Sequence, residues 1–169
     1  VVEDAAEGFG SKFDGKVLGT FGKFGVLSFN GNKMITTSGG GALICDDAES
    51  KNNIMWYATQ AREAYPYYQH EAIGYNYRMS NICAGIGRGQ MHVLEQRLAK
   101  KRQIFDWYSE KLAGLPLKMQ PALPDTEPNR WLTAIWLQPE CGVTAGYLID
   151  ELEKHNIEAR YMWKPMHTQ

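Results

Sequence analysis

Three apolar runs of strand length (Val1-Val2-Glu3-Asp4, Gly25 to Phe29 and Gly41 to Cys45) fall within the first 45 residues, and a much longer helical pattern starts at Ile82. Strands this short bury their side chains only by pairing with one another, and helices must then cover the sheet, so the pattern predicts an α/β chain. Gly8 to Gly25 is glycine-rich and turn-prone, with Lys16-Val17-Leu18 as a short extended piece. Asp46-Asp47-Ala48-Glu49 opens a helix with acids beside its positive end, predicted to run to about Ala64. Ser80-Asn81 starts the next helix, read as continuous from Ile82 towards Leu112 and ended by Leu115-Pro116. Met91, Leu94, Leu98, Ile104 and Tyr108 recur along it at helical spacing, and Gln96, Arg97, Lys100, Lys101 and Arg102 give it a polar face. Gly85, Gly87 and Gly89 each cost about 1 kcal/mol relative to Ala inside a helix. They are expected where another backbone packs very close. Pro121 to Pro128 reads as a loop and Arg130 to Leu137 as a strand. Thr144 caps a helix from Ala145 to Lys154, and Ile157 to Met162 is a further strand, together predicting a small α/β domain.

Charge and cysteine usage exclude several function classes. Lys and Arg number 18 against 19 Asp and Glu, which leaves no basic field for nucleic acid or anionic lipid. No apolar run approaches membrane-spanning length. Cys45, Cys83 and Cys141 are odd in number and widely spaced, and the four histidines are scattered, which fits neither a disulfide framework nor a metal site. A cytoplasmic protein without a structural metal is expected. The abrupt start inside a strand, and an end in the turn Trp163 to Gln169, read as a piece of a larger chain.

Asp4 and Lys33 stand at informative places. Asp4 ends the first apolar run, and Lys33 lies just beyond the second, in Ser28-Phe29-Asn30-Gly31-Asn32-Lys33. Taken singly, a strand-end acid is an ordinary loop cap and a turn lysine an ordinary surface charge. Together they match what pyridoxal phosphate chemistry requires, a lysine to form the Schiff base and an acid to keep the pyridine nitrogen protonated. Ser28 adds a hydroxyl for a phosphate oxygen, and the turn from Asn30 to Asn32 offers backbone N–H groups. Gly39-Gly40-Gly41 lacks the ending of a nucleotide loop and precedes a strand, so it reads as a tight turn. Gly74-Tyr75-Asn76-Tyr77-Arg78-Met79-Ser80 sets an arginine ahead of a helix start, either an anion-binding loop or an ordinary aromatic one.

The segments VVEDAAE, SFNGNKMITTSGGGAL, GYNYRMSNICA and WKPMH, in this order, closely resemble the DegT-type sugar-nucleotide aminotransferases. These are pyridoxal-phosphate enzymes of the aspartate aminotransferase fold (fold type I). The resemblance implies that the chain is the second half of the large domain plus most of a small C-terminal α/β domain. Residues 1–79 would be part of the large cofactor-binding domain, 80–113 a long connecting helix and 114–169 the incomplete small domain. Lys33 matches the Schiff-base lysine, Asp4 the acid on the pyridine nitrogen and Ser28 a phosphate ligand. Glu7 stands, close to the cofactor's ring hydroxyl, where many members place Gln or His; a Glu there resembles the perosamine- and bacillosamine-type enzymes. Asn76 matches a residue that reaches the cofactor phosphate of the neighbouring subunit, which implies a homodimer with shared active sites. Asn30, Arg78, Lys164 and His167 fall where members line the nucleotide-sugar pocket. Related dehydratases carry His in place of Lys33, so the resemblance implies a transaminase. Its donor would be glutamate and its acceptor a nucleotide-linked 4-keto-6-deoxy sugar, UDP-linked favoured, destined for a surface glycan. A 3-keto-sugar aminotransferase and a cofactor-binding regulatory module without turnover stay open as alternatives.

Overall fold

The computed structural model describes residues 1–169, and its first sheet is built from the three apolar runs. Strand β1 spans Val2–Asp4. Strands β2 (Lys12–Phe13) and β3 (Lys16–Val17) pair antiparallel across Asp14-Gly15. Both turn residues have positive φ, 48° and 72°, the twist a two-residue hairpin needs and one that Asp and Gly accept readily. β4 (Phe24–Ser28) runs parallel to β1 and antiparallel to β5 (Gly41–Ile44), giving the order β1-β4-β5. The crossover between β1 and β4 thus carries a hairpin where a helix is usual. It passes so close over β4 that a side chain at Gly25 would overlap the Gly19 carbonyl.

Helix α1 (Ala48–Ala58) begins at Asp47, whose side chain accepts from Ser50 N at 2.6 Å. It stops six residues short of the predicted Ala64, because Gln60 and Ala61 take positive φ (72° and 49°). That turn is held by tertiary pairing. Gln60 N donates to Tyr75 O at 3.0 Å and Ala61, fully buried, donates to Trp56 O at 2.8 Å.

The long helix predicted from Ile82 is two helices, α2 (Asn81–Met91) and α3 (Leu94–Lys111). Ser80 caps α2, its hydroxyl accepting from Cys83 N at 3.3 Å. At the break, His92 N and Val93 N donate to Gly89 O (3.3 Å) and Gln90 O (3.2 Å), the tighter spacing by which helices close. No neighbouring backbone packs against these glycines, and only the middle one meets a close side chain. A Cβ at Gly87 would stand 3.0 Å from Thr37 Cγ2, whereas at Gly85 and Gly89 it would meet nothing within 4 Å.

The chain divides into two compact units, residues 1–101 with 123–131, and residues 102–122 with 132–169. In the second, β6 (Leu117–Met119) pairs antiparallel with a strand at Ile135–Leu137. β7 (Thr126–Glu127) lies inside the predicted proline loop, belongs to the first unit and extends the small sheet by pairing with β2. The strand at Ile135–Leu137 is β8; it is shorter than the predicted Arg130 to Leu137 because Arg130 has φ 51°, which breaks an extended run. Helix α4 (Ala145–Glu153) is capped by Thr144, which accepts from Tyr147 N at 3.2 Å. Ile157 to Met162 forms no strand. It finds no ladder partner, and Ile157, Tyr161 and Met162 stay exposed.

The core of the first unit is Met34, Ile35, Leu94, Leu98 and Trp131, with Phe9 and Phe29 packed edge to face at 6.0 Å beside it. No helix is long and apolar enough to cross a membrane.

Candidate active site

Because β1 and β4 are parallel, their C-terminal ends share one edge of the sheet, where ligands bind in open α/β sheets. Asp4 is the last residue of β1 and Ser28 the last of β4; Asp4 pairs with Val26. The chain leaves β4 there, forms the loop 29–40 and returns into β5. Phe29 N donates to Gly40 O at 2.9 Å and Thr37 N to Phe29 O at 2.9 Å, closing the loop at its base. Lys33 sits at the tip, its N–H bonded to Asn30 O at 3.0 Å. Met34 and Ile35, only 6% and 2% exposed, follow it into the core and fix the backbone that carries the lysine.

The Lys33 side chain is 14% exposed, and its Nζ lies 3.0 Å from Glu7 Oε1. The structure therefore joins two of the sequence-predicted residues directly. Asp4 is exposed, its Oδ1 accepting from Ala6 N at 3.1 Å, and Ser28 Oγ lies 3.5 Å from Asn30 N. Glu3, on the opposite face of β1 by strand alternation, accepts the N–H groups of Gly19 (2.8 Å), Phe21 and Gly22. These bonds, Gly22 foremost, hold its carboxyl below the ordinary value of 4.5 and tie the crossover to the strand that presents Asp4.

Asn76 and Arg78 are exposed on a segment fixed against the end of α1, where Tyr75 N donates to Tyr57 O (2.9 Å) and Tyr77 N to Ala58 O (3.1 Å). Met79 of that segment abuts the base of the lysine loop, its Cε 3.0 Å from where a Cβ of Gly40 would stand. Lys164 and His167 lie in the second unit, both exposed, in and beside a single 3₁₀ turn at Met166–Thr168.

Sequence reasoning missed Asn129 and Trp131. Lys33 Nζ lies 4.6 Å from the centre of the Trp131 ring, and Trp131 Nε1 donates to Asn32 O at 2.6 Å. The available signal was Pro128-Asn129, a turn-initiating pair set just before a large aromatic.

The sequence profile of the DegT/DnrJ/EryC1/StrS aminotransferase family matches residues 1–169. The chain belongs to this family. Similar members are EpsN of Bacillus subtilis, whose provisional name is pyridoxal phosphate-dependent aminotransferase (47% identical, covering 100% of this chain and 43% of EpsN), and GDP-perosamine synthase of Vibrio cholerae (36%, 99% and 46%). Among solved structures, the aminotransferase TlmJ of Streptoalloteichus hindustanus superposes with a TM-score of 0.88 at 24% identity, covering 98% of this chain and 45% of TlmJ. The fold is thus the α/β fold type I of the DegT/DnrJ/EryC1/StrS family, and the chain spans under half the length of these relatives.

Proposed function

We propose that the full-length protein is a pyridoxal-phosphate-dependent aminotransferase that moves an amino group from glutamate to a nucleotide-linked 4-keto-6-deoxy sugar, in the cytoplasm, for a surface glycan. The observation that carries this reading is the shielded Lys33 amine, paired with Glu7 beside the sheet edge where Asp4 ends its strand. Family membership supports the reaction class. In the domain organisation proposed with it, residues 1–79 belong to the cofactor-binding domain, 80–113 connect, and 114–169 belong to the small domain.

The residues present fit the cofactor. An amine for its aldehyde, a carboxylate for its ring nitrogen and a hydroxyl for its phosphate are offered by Lys33, Asp4 and Ser28, the last two closing adjacent parallel strands. When bound, the cofactor supplies an electron-accepting ring that stabilises negative charge at the donor carbon. Asp4 holds the proton on the ring nitrogen. Lys33 would tether the cofactor and, once freed, its Nζ would take the proton from the α-carbon of the donor as base and then, as acid, deliver it to the cofactor carbon that Lys33 had held. Glu7 orients Nζ by its ion pair. We assign Asn30 and Arg78, and from the family resemblance Lys164 and His167, to binding of the nucleotide sugar, and Asn76 to the neighbouring subunit of a homodimer. Asn76 and Tyr77 are exposed in this chain, as such a role needs.

The test is direct. The full-length protein should be yellow, borohydride should fix the cofactor on Lys33 as read by peptide mass, and glutamate should bleach the visible band. A visible band that no amino donor bleaches favours a binding module. A label on another residue, or none, overturns the reading. A panel of 4-keto and 3-keto acceptors on UDP and GDP then fixes the substrate. UDP is favoured by the likeness of Asn30, Glu7 and the Trp163 to His167 turn to bacillosamine-type enzymes, while the likeness to a GDP-perosamine synthase favours GDP.

A further inference from the structure

Trp131 reaches Lys33 from nearly a hundred residues away, and the backbone that delivers it is both strained and clamped. Arg130, immediately before it, has φ 51°, a conformation non-glycine residues seldom adopt. Asn129, 6% exposed, holds that turn in place. Its Nδ2 donates to the carbonyls of Glu7 (2.8 Å) and Phe9 (3.0 Å), its Oδ1 accepts from Trp131 N (2.9 Å), and its N–H donates to Ser11 Oγ (3.0 Å). One asparagine therefore fixes both walls around the lysine, the backbone of Glu7 on one side and the indole on the other. The indole is itself 7% exposed and pinned to the lysine loop through Asn32.

A carboxylate and the face of an indole both attract an ammonium group. A lysine stem, in contrast, is flexible and left alone would scatter the amine over many rotamers. We infer that Trp131, presented by the Asn129 clamp, is a positioning residue for Lys33, forming with Glu7 a seat that receives the freed amine once it has picked up a proton and keeps it aimed for the onward delivery of that proton. This inference rests on the reading of Lys33 as the cofactor lysine. The positive charge that grows on Nζ as it takes the donor's proton meets partners already in place, so the transfer needs no reorganisation there.

The test uses the full-length protein freed of cofactor and reductively methylated with ¹³C-formaldehyde. Lys33→Arg, which cannot be methylated, assigns the Lys33 resonance by its loss. Seated over the ring, the Lys33 methyl signal is shifted upfield by the ring current; Trp131→Leu abolishes the shift and Trp131→Phe keeps most of it. In the cofactor-loaded protein, borohydride still labels Lys33 in wild type, Trp131→Leu and Trp131→Phe. The glutamate half-reaction slows about tenfold in Trp131→Leu and about threefold in Trp131→Phe, the range expected for losing or weakening a shielded cation–π contact. An unshifted wild-type Lys33 signal overturns the inference, and so does a Trp131→Leu half-reaction within about twofold of wild type. The wild-type shift needs only the Lys33→Arg assignment and no change at Trp131, so the seat remains testable if Trp131→Leu does not fold. If borohydride labels a residue other than Lys33, the functional reading fails while the seat itself can still be present; the two failures are therefore distinct.

Discussion

On the proposed reading, replacing Lys33 by arginine in the full-length protein separates two tasks of one side chain. Arginine keeps a cation between Glu7 and the Trp131 face but cannot form the covalent tether, so the cofactor-free protein should melt within about 2 °C of wild type. Turnover, in contrast, should fall by about a thousandfold or more. Steady-state kinetics and a melting curve on the same sample check both halves. Glu3 makes a different kind of prediction. Its carboxyl is held below 4.5 by three backbone N–H groups, so its contribution to stability is fully present above pH 4.5 and is lost as the pH falls through the depressed value. Glu3→Gln should therefore be less stable than wild type near pH 7, with the gap closing below pH 4.5, read from urea midpoints across pH. Residues placed by their position on a strand were legible in the sequence. Asp4 and Ser28 could be placed because apolar runs mark where strands end. The Asn129 clamp and Trp131 could not, since their partners are Glu7, Phe9 and Asn32, and no local pattern encodes a contact over that separation.

Helix starts were legible for the same local reason. A side-chain oxygen ahead of an N–H three residues on is a short-range device, and Asp47, Ser80 and Thr144 all make that bond. Ser80→Ala should cost about 1 kcal/mol, measured as a lower urea midpoint at unchanged slope. Helix ends were harder to read. α1 ends where Tyr75 captures Gln60, and the α2–α3 break falls within an uninterrupted apolar period. Such breaks come from tertiary pairing and from tight closing bonds, which periodicity does not register. The glycines of α2 divide by surroundings. Gly85→Ala should stabilise this chain by roughly 0.5–1 kcal/mol, the usual gain from filling an open helix position. Gly87→Ala should gain nothing, because its methyl would press on the fully buried Thr37. Denaturant unfolding of the two variants side by side tests that contrast.

Taken whole, the chain leaves much apolar surface uncovered. Its accessible area is 12476 Å², whereas a compact protein of this mass exposes about 8,400 Å² and two separate compact bodies of the same total roughly 10,000 Å². Helices α1, α2 and α4 contain no buried residue, and Ile73, Tyr77 and Ile82 are more than 70% exposed. Surface of that kind marks sites of association. The 169-residue chain should elute from a sizing column as an associated species and bind a hydrophobic dye; a clean 19.1 kDa monomer without dye binding would refute this. The α/β class was legible at this scale, but the division into units was not, because the chain enters the second unit, comes back to the first for residues 123–131, and leaves again. That return path governs how the molecule can be cut. A truncation ending at residue 101 would keep every strand of the first sheet and the lysine loop intact, yet it would amputate the indole beside the amine, so the first compact unit cannot be excised as one continuous segment.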